Sequence, residues 1–285
     1  MSLQLPQNSN IGVYSHDAGG ALILANLPKY LPNNYYFFGR GPALKLSSFA
    51  AKHKSSSLKL DACFFGTSSR SDLERKAIAE CKRKGLPTYV FFDNWTKYKE
   101  RLSDRKGDIF PDFIVVGDSL ALKIAREEFQ ENQIIYFGNP LFREAKMKRL
   151  TLPKYGVSRM LFVSSKIEPH FYSSVKGRLK RKELFETFVH KLLTYAPEIE
   201  LIDIRPHPSE SLEFVKKQYQ SSVIPTTIKS EANDILVSLS EYSIVGGFET
   251  MALYLASLMN RRVINARPMK YGVSPPPFSD FEQLP

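Results

Sequence analysis

The chain predicts an α/β protein made of two parallel-sheet domains, and three observations carry that prediction. Short apolar, β-rich runs alternate with helical segments at regular intervals along almost the whole sequence, as a parallel sheet demands. The alternation breaks once, over residues 141–158 (LFREAKMKRLTLPKYGVS), where charge, a proline and a glycine interrupt it, and then restarts. Residues 242–266 (YSIVGGFETMALYLASLMNRRVINA) read as a complete βαβ unit: a buried strand, a turn at Gly246-Gly247 with positive φ, an apolar helix over Glu249 to Asn260, and a second buried strand. At 285 residues the chain can hold two domains of roughly 140 residues, each with its own core, expected at 1–150 and 151–285.

In the first half, IGVYS is a strand that delivers His16, Asp17, Gly19 and Gly20 onto a turn opening the helix ALILANLPKYL. Such strand exits are where parallel sheets hold ligands. The spacing matches neither GxGxxG nor GxxxxGK[ST], so the turn is expected to bring polar side chains and close backbone to a cleft without binding a dinucleotide. His16 reads as a general base or a neighbour of the helix cap, and Asp17 as a natural N-cap. Four more strands follow the run at 35–39 (YYFFG): 61–68, whose helix is capped by Ser71, then 87–95, 112–119 and 133–140, giving about six strands. Asp93, Asn94 and Trp95 stand at one strand's exit and Asn139 at another; Trp95 suits either stacking on a sugar or base ring or filling the rim of the core.

The second half restarts with RMLFVSSK (159–166), whose exit carries Ser164, Ser165 and Lys166, two hydroxyls and a cation suited to a phosphate. ELIDIRPHP (200–208) ends in Arg205 and His207, with Pro206 and Pro208 stiffening the turn so that both side chains leave the sheet in a fixed direction. Arginine supplies a forked donor for phosphate, and histidine a donor able to pass a proton to a departing oxygen. A strand at 222–228 broken by Pro225, a helix capped by Asn233 or Asp234, and the βαβ unit complete the pattern. The tail from Pro268, with three consecutive prolines, cannot continue a helix and is expected to wrap the surface or cross toward the first half.

Composition bounds the partners. Hydrophobic residues make up 43% of the chain and charged residues 24%, ordinary values for a globular protein, and no apolar run approaches the ~18 residues of a bilayer span. The opening MSLQLPQNSN has neither the basic flank nor the apolar core of a secretory signal, and Cys63 and Cys81 are too few for a disulfide framework, so a cytoplasmic location is the default expectation. A net charge of +11, from 40 Lys and Arg against 29 Asp and Glu, favours anionic partners: phosphorylated substrates, nucleic acid or an acidic membrane surface. The densest basic stretches, 143–150 and 176–183, lack interleaved stacking aromatics, so nucleic acid is not the expected partner. His16, Asp17, His170 and His207 do not show metal-ligand spacing and no DxD-type acidic pair occurs, so no metal is expected.

Four pieces together carry a resemblance: SHDAGG after the first strand, the GNP at Gly138 to Pro140, the His207-Pro208 pair, and the helix start from Gly247 to Ala256. In these the chain, over residues 11 to 267, resembles the two-Rossmann-domain glycosyltransferases called GT-B, with their relatives the non-reducing-type sugar-nucleotide 2-epimerases and the glycerophosphotransferases of polymer biosynthesis. The His-Pro pair is also similar to that of bacterial sialyltransferases. The resemblance implies two Rossmann-like domains with parallel sheets facing a cleft. It implies a nucleotide sugar as co-substrate, with no other cofactor, held by the second domain. Arg205 and His207 would lie at the phosphates beside Ser164, Ser165 and Lys166, Gly246, Gly247 and Thr250 would be donors, and Glu249 would face a ribose or the donor sugar. The first domain would take a saccharide or glycolipid acceptor near Gly19, Gly20, Asp93, Trp95 and Asn139, with His16 or Asp17 as base, and the basic surface would suit an anionic acceptor or the rim of an anionic membrane. The chain departs from these families where SSKIEPH replaces an HREN-type motif and where Tyr254 stands in place of an acidic residue. The first departure argues for transfer over epimerisation.

Overall fold

The structure, a computed structural model, describes residues 3, 5–50, 58–68, 71–104, 107–165, 181–229, 234–269 and 274–285. The chain divides into two compact units, Met1–Arg143 and Glu144–Pro285.

The first unit runs β1 (Asn10–Ser15), α1 (Ala18–Ala25), β2 (Asn34–Gly39), α2 (Ser47–Ala50), β3 (Ala62–Phe65), α3 (Leu73–Arg83), β4 (Thr88–Phe91), α4 (Tyr98–Leu102), β5 (Ser103–Asp104), β6 (Gly107–Asp108), β7 (Phe113–Val116), α5 (Ser119–Glu128), β8 (Ile134–Tyr136) and the start of α6 (Pro140–Met147). Six of the strands form one sheet, ordered β2-β1-β3-β4-β7-β8 and parallel throughout. Strands β3 (ACFF) and β4 (TYVF) are buried at every position, which is why they read as unbroken apolar runs. Register places Phe64 beside Tyr89 and Tyr89 beside Phe113, and the three rings stack at 4.7 and 5.0 Å, a cross-strand ladder that fixes the pairing. Cys63 and Cys81 are both buried thiols, their sulfurs 3.3 Å apart.

Local expectations shift here in three places. Gly19 and Gly20 lie inside the first turn of α1 and not in the turn before it. Helix α3 starts with Asp72 in the cap position, while the Ser71 hydroxyl accepts from the Leu73 N–H at 3.1 Å. The antiparallel pair β5-β6 arises in a charged stretch that gave no strand pattern.

The second unit continues with β9 (Tyr155–Val163), α7 (Arg181–Tyr195), β10 (Leu201–Arg205), α8 (Leu212–Gln218), β11 (Thr226–Ile228), α9 (Ile235–Ser240), β12 (Tyr242–Gly247), α10 (Met251–Leu258), β13 (Arg262–Asn265) and β14 (Glu282–Gln283). Its sheet is also six-stranded and parallel, ordered β11-β10-β9-β12-β13-β14. The Phe162 ring, fully buried on β9, meets Phe185, Phe188, Tyr219 and Phe248 at 5.0 to 5.8 Å. Phe162→Ala would empty the middle of that cluster and is expected to destabilise the protein by about 3–5 kcal/mol, measured by denaturant unfolding.

Within the stretch at 141–158, where the division between the units falls, α6 occupies 140–147 and β9 begins at Tyr155. Strand β11 starts only after Pro225, whose carbonyl still accepts from the Ile202 N–H, and Asp234 caps α9 through the Leu236 N–H at 2.8 Å. Asn233, the alternative cap, lies outside the described residues. Gly246 and Gly247 are the last two residues of β12, not a turn. Their role is close approach: a Cβ on Gly246 would stand 2.8 Å from the Met160 side chain, and one on Gly247 2.7 Å from the Val163 carbonyl oxygen. The described part of the tail adds β14 beside β13 and buries Leu284, so it completes this sheet. No helix among the described residues is long and apolar enough to cross a membrane.

Candidate functional site

In a parallel open sheet, ligands collect outside the carboxyl ends of the strands where the strand order reverses direction. The first sheet reverses between β1 and β3, the second between β9 and β12. His16 and Asp17 follow β1, and Ser164 and Ser165 follow β9, while Glu249 and Thr250 lie just beyond β12. Much of the polar set read from the sequence therefore stands at the switch point of one unit or the other.

At the first switch point, His16 Nδ1 lies 2.7 Å from the Asp17 carboxylate, which can only accept, so the ring proton sits on Nδ1 and Nε2 presents its lone pair. Asp17 occupies the N-cap position of α1 but makes no capping hydrogen bond, because its side chain is turned to the imidazole. Nε2 has no hydrogen-bond partner among the described residues. Gly41, at φ +56°, packs against the ring so closely that a Cβ there would stand 2.5 Å from Nε2. A glycine is required for that backbone conformation and for leaving the nitrogen uncovered. The Ser68 hydroxyl is 3.4 Å from Nδ1 on the other side.

Two residues that sequence reasoning missed, Glu74 and Arg101, hold this corner. Glu74, on α3 and almost fully buried, accepts the His16 backbone N–H at 2.7 Å through Oε1 while Oε2 has no partner. Burial pushes its carboxyl above the ordinary value, against the pull of the His16 backbone N–H. Arg101, on α4, reaches Asp93 at 2.6 Å and the Thr67 hydroxyl at 2.8 Å. Gly19 and Gly20 bring α1 against these strand ends: a Cβ on Gly19 would meet the Asp93 carboxylate at 2.3 Å, and one on Gly20 the Gly66 backbone at 3.1 Å. Trp95 and Asn139, read as acceptor-side groups, are built into the packing. The buried indole N–H donates to Asp118 at 3.0 Å with its ring stacked on Phe142, and the Asn139 side-chain oxygen accepts the Leu141 N–H at the start of α6.

In the second unit, the turn after β10 is organised by Glu210. Its carboxylate pairs with Arg181, accepts the Ser164 hydroxyl at 2.5 Å and accepts the His207 backbone N–H at 3.0 Å. Ser164 is also bonded to the Tyr219 hydroxyl at 2.8 Å, and burial pushes that phenol up to about 12. His207 Nδ1 lies 2.7 Å from the Ser209 hydroxyl and 3.2 Å from the Ser209 N–H; with both donating to Nδ1, the proton of the neutral ring stands on Nε2. His207 is thus a donor at Nε2, the opposite tautomer to His16. Arg205 does not leave the sheet beside it. As the last residue of β10 it shares the face of Asp203 and directs its guanidinium to the Ser238 hydroxyl on α9, with burial lowering its pKa against the pull of Asp234.

Beyond β12, the Thr250 hydroxyl accepts the Leu253 N–H and caps α10, and Glu249 is paired at 2.9 Å with Arg267, a cation the sequence gave no reason to select. Ser165 is buried next to Ser164. Lys166 and His170 lie outside the described residues. Among the described residues, no three His, Cys, Asp or Glu side chains gather in a way that would hold a metal ion.

No protein-family model matches the chain, and no curated protein does. Solved structures do. S. aureus MnaA in a structure with UDP superposes with a TM-score of 0.59 at 11% identity, covering 91% of this chain and 79% of its own. The UDP-GlcNAc 2-epimerase of Neisseria meningitidis, bound to UDP-GlcNAc, gives 0.57 at 10% identity, covering 90% and 82%. The UDP-GlcNAc 2-epimerase of Methanocaldococcus jannaschii, in complex with UDP-GlcNAc and UDP, gives 0.59 at 8% identity, covering 93% and 87%. At such identities the likeness is one of architecture: two parallel six-stranded α/β units in one chain, the GT-B-like fold.

Proposed function

We propose that this chain is a metal-independent glycosyltransferase that moves a sugar from a nucleotide donor to a saccharide or glycolipid hydroxyl in the assembly of a polysaccharide or glycolipid. The observation that carries the reading is the His16–Asp17 pair at the switch point of the first sheet, with Nε2 unprotonated and kept open by Gly41. In the reaction, Nε2 takes the proton of the acceptor hydroxyl as its oxygen bonds to the anomeric carbon. The bond from that carbon to the nucleotide phosphate breaks, its electron pair stays on the phosphate oxygen, and the His207 Nε2–H donates to that oxygen. The second unit would hold the nucleotide through His207 and the backbone beyond β12. Asp17 holds the tautomer of His16, and the Ser209 N–H that of His207. The fold relatives solved with UDP or UDP-GlcNAc support a nucleotide sugar as the donor class.

The test is a panel of uridine, cytidine and guanosine sugar nucleotides with and without saccharide acceptors. Binding is read by the rise in melting temperature that a ligand of the folded state produces, and turnover by nucleotide release. Nucleotide release that depends on acceptor, and that falls by about 10²–10³-fold in His207→Ala, is the expected result. Conversion of the sugar with no acceptor present would instead make the protein an epimerase, and an unchanged His207→Ala would remove the leaving-group role.

A further inference from the structure

Between α6 and the middle of β9 the chain displays four large apolar side chains to solvent: Met147 at 66%, Leu150 at 84%, Leu152 at 87% and Val157 at 57% exposure. Single exposed apolar residues are ordinary on a protein surface; four within one short stretch are not. Their arrangement is held from beneath. Arg261 grips the Thr151 carbonyl at 2.7 Å, the Tyr155 N–H is bonded to the Glu241 carbonyl at 2.8 Å, and Pro153 stiffens the backbone between. The leucines are thus presented to solvent by a backbone anchored on both sides of Leu152.

The charges within the segment have one sign. From 145 to 158 the sequence contains Lys146, Lys148, Arg149 and Lys154 and no aspartate or glutamate. The cationic rim continues onto the sheet, where Arg159, Lys154 and Lys229 stand 4.4, 5.2 and 5.6 Å from the centre of the Tyr155 ring. The Asp203 carboxylate lies among them, fully buried, bonded to Arg159 and to the Tyr242 hydroxyl and 3.6 Å from the Lys229 amine. Glu241 and Glu200 bond this segment through their backbones, at Tyr155 and Ser158. The patch also sits at the amino end of β9, where Tyr155 is about 30 Å along the strand from Ser164 at roughly 3.3 Å per residue, so covering it would leave that unit's switch point open.

We infer that the surface formed by Lys146 to Val157 docks on an anionic phospholipid bilayer. Met147, Leu150, Leu152 and Val157 enter the boundary between headgroups and acyl chains. Lys146, Lys148, Arg149 and Lys154 meet the lipid phosphates, and Tyr155 lies at the interface between the two layers. A neutral apolar partner would leave the cations without counter-charges; an acidic soluble partner would leave the leucines in water. A bilayer with anionic headgroups satisfies both. This inference does not depend on the catalytic reading above, since none of these residues belongs to either switch point.

The experiment is co-sedimentation of the whole chain with vesicles of phosphatidylcholine alone or with roughly a third phosphatidylglycerol. Binding to the anionic vesicles is expected to be about tenfold tighter or more, and to weaken as salt is raised. Leu150→Ser with Leu152→Ser should lower it by about tenfold at constant charge, because the apolar insertion is lost. Lys148→Glu with Arg149→Glu should remove the preference for anionic lipid, while Lys182→Glu with Lys216→Glu, exposed on α7 and α8, should leave binding within about twofold. Circular dichroism and melting temperature verify that each variant is folded. Equal binding to neutral vesicles, or an undiminished Leu150 and Leu152 variant, overturns the proposal. So does a dimer in sedimentation equilibrium that the leucine substitutions disperse while vesicles bind nothing, for then the occupant is a second copy.

Discussion

His16→Ala is expected to cut turnover by about 10²–10⁴-fold, the span that removal of a positioned general base produces, while nucleotide binding stays within about twofold. The asymmetry follows from where the residue's bonds lie. Its backbone N–H, bonded to buried Glu74, survives the substitution, and so does its carbonyl, which accepts the Ala43 N–H at 2.9 Å. The fold of the turn is therefore retained and only the imidazole is lost. Single-turnover measurement with saturating donor and acceptor is the appropriate readout, because it separates chemistry from product release. Gly41→Ala reaches the same nitrogen from outside. The new Cβ would stand 2.5 Å from Nε2 in a backbone conformation that alanine resists, so activity should fall with the dyad itself unaltered in sequence. If both variants turn over as the parent does, His16 is a structural residue and the base lies elsewhere.

Glu210→Ala is expected to cost about 3–5 kcal/mol of stability, the largest effect of any polar substitution argued here. The side chains of Glu210 and Arg181 are 5% and 12% exposed, so removing the carboxylate leaves a cation shielded from water with nothing to neutralise it. The same change frees the Ser164 hydroxyl and the His207 N–H from their shared acceptor, and the turn that aims His207 loses its anchor. Loss of stability in urea unfolding should thus accompany loss of nucleotide affinity. Glu210→Gln separates the two: it keeps an acceptor for the His207 N–H but not the charge opposite Arg181, so stability should fall while affinity is largely retained. An alanine variant as stable as the parent would mean that Arg181 finds another partner.

The fold was largely legible because parallel strands buried on both faces leave unbroken apolar runs such as ACFF and TYVF, and because helices such as 73–83 follow them at regular distance. The polar residues at β1 and β9 were legible for the same reason, as what stands at the exit of such a run. What stayed hidden depends on partners far along the chain. Glu74 looks like a solvent-facing acid in SDLERK, and only the packing of α3 beside β1 reveals that it lies under His16, 58 residues away. Arg101 and Arg267 sit in charged or irregular stretches, and Glu210 looks like the first turn of an exposed helix. Gly246-Gly247 was read as a turn and instead ends β12: Gly247 does have a positive φ, of 159°, but both glycines are required by close packing against Met160 and Val163, which the sequence does not display. Arg205 and His207 were read as a pair because they are two residues apart; the strand ends between them, and its last side chain goes to α9.

Both large sheets are parallel throughout, and that governs how the chain must fold. Ile11 pairs with Ala62 in one unit and Leu161 with Val245 in the other, so no ladder in either sheet can be closed by a tight turn. Long stretches of chain have to be brought together before the first such pairing is rewarded, which makes assembly slow relative to that of a hairpin-built protein. During synthesis the apolar run that becomes β9 leaves the ribosome well before β12 exists to cover it. A nascent chain of this design spends its first moments with sticky strands unprotected, and its yield in cells rests on what shields them until the later partner arrives.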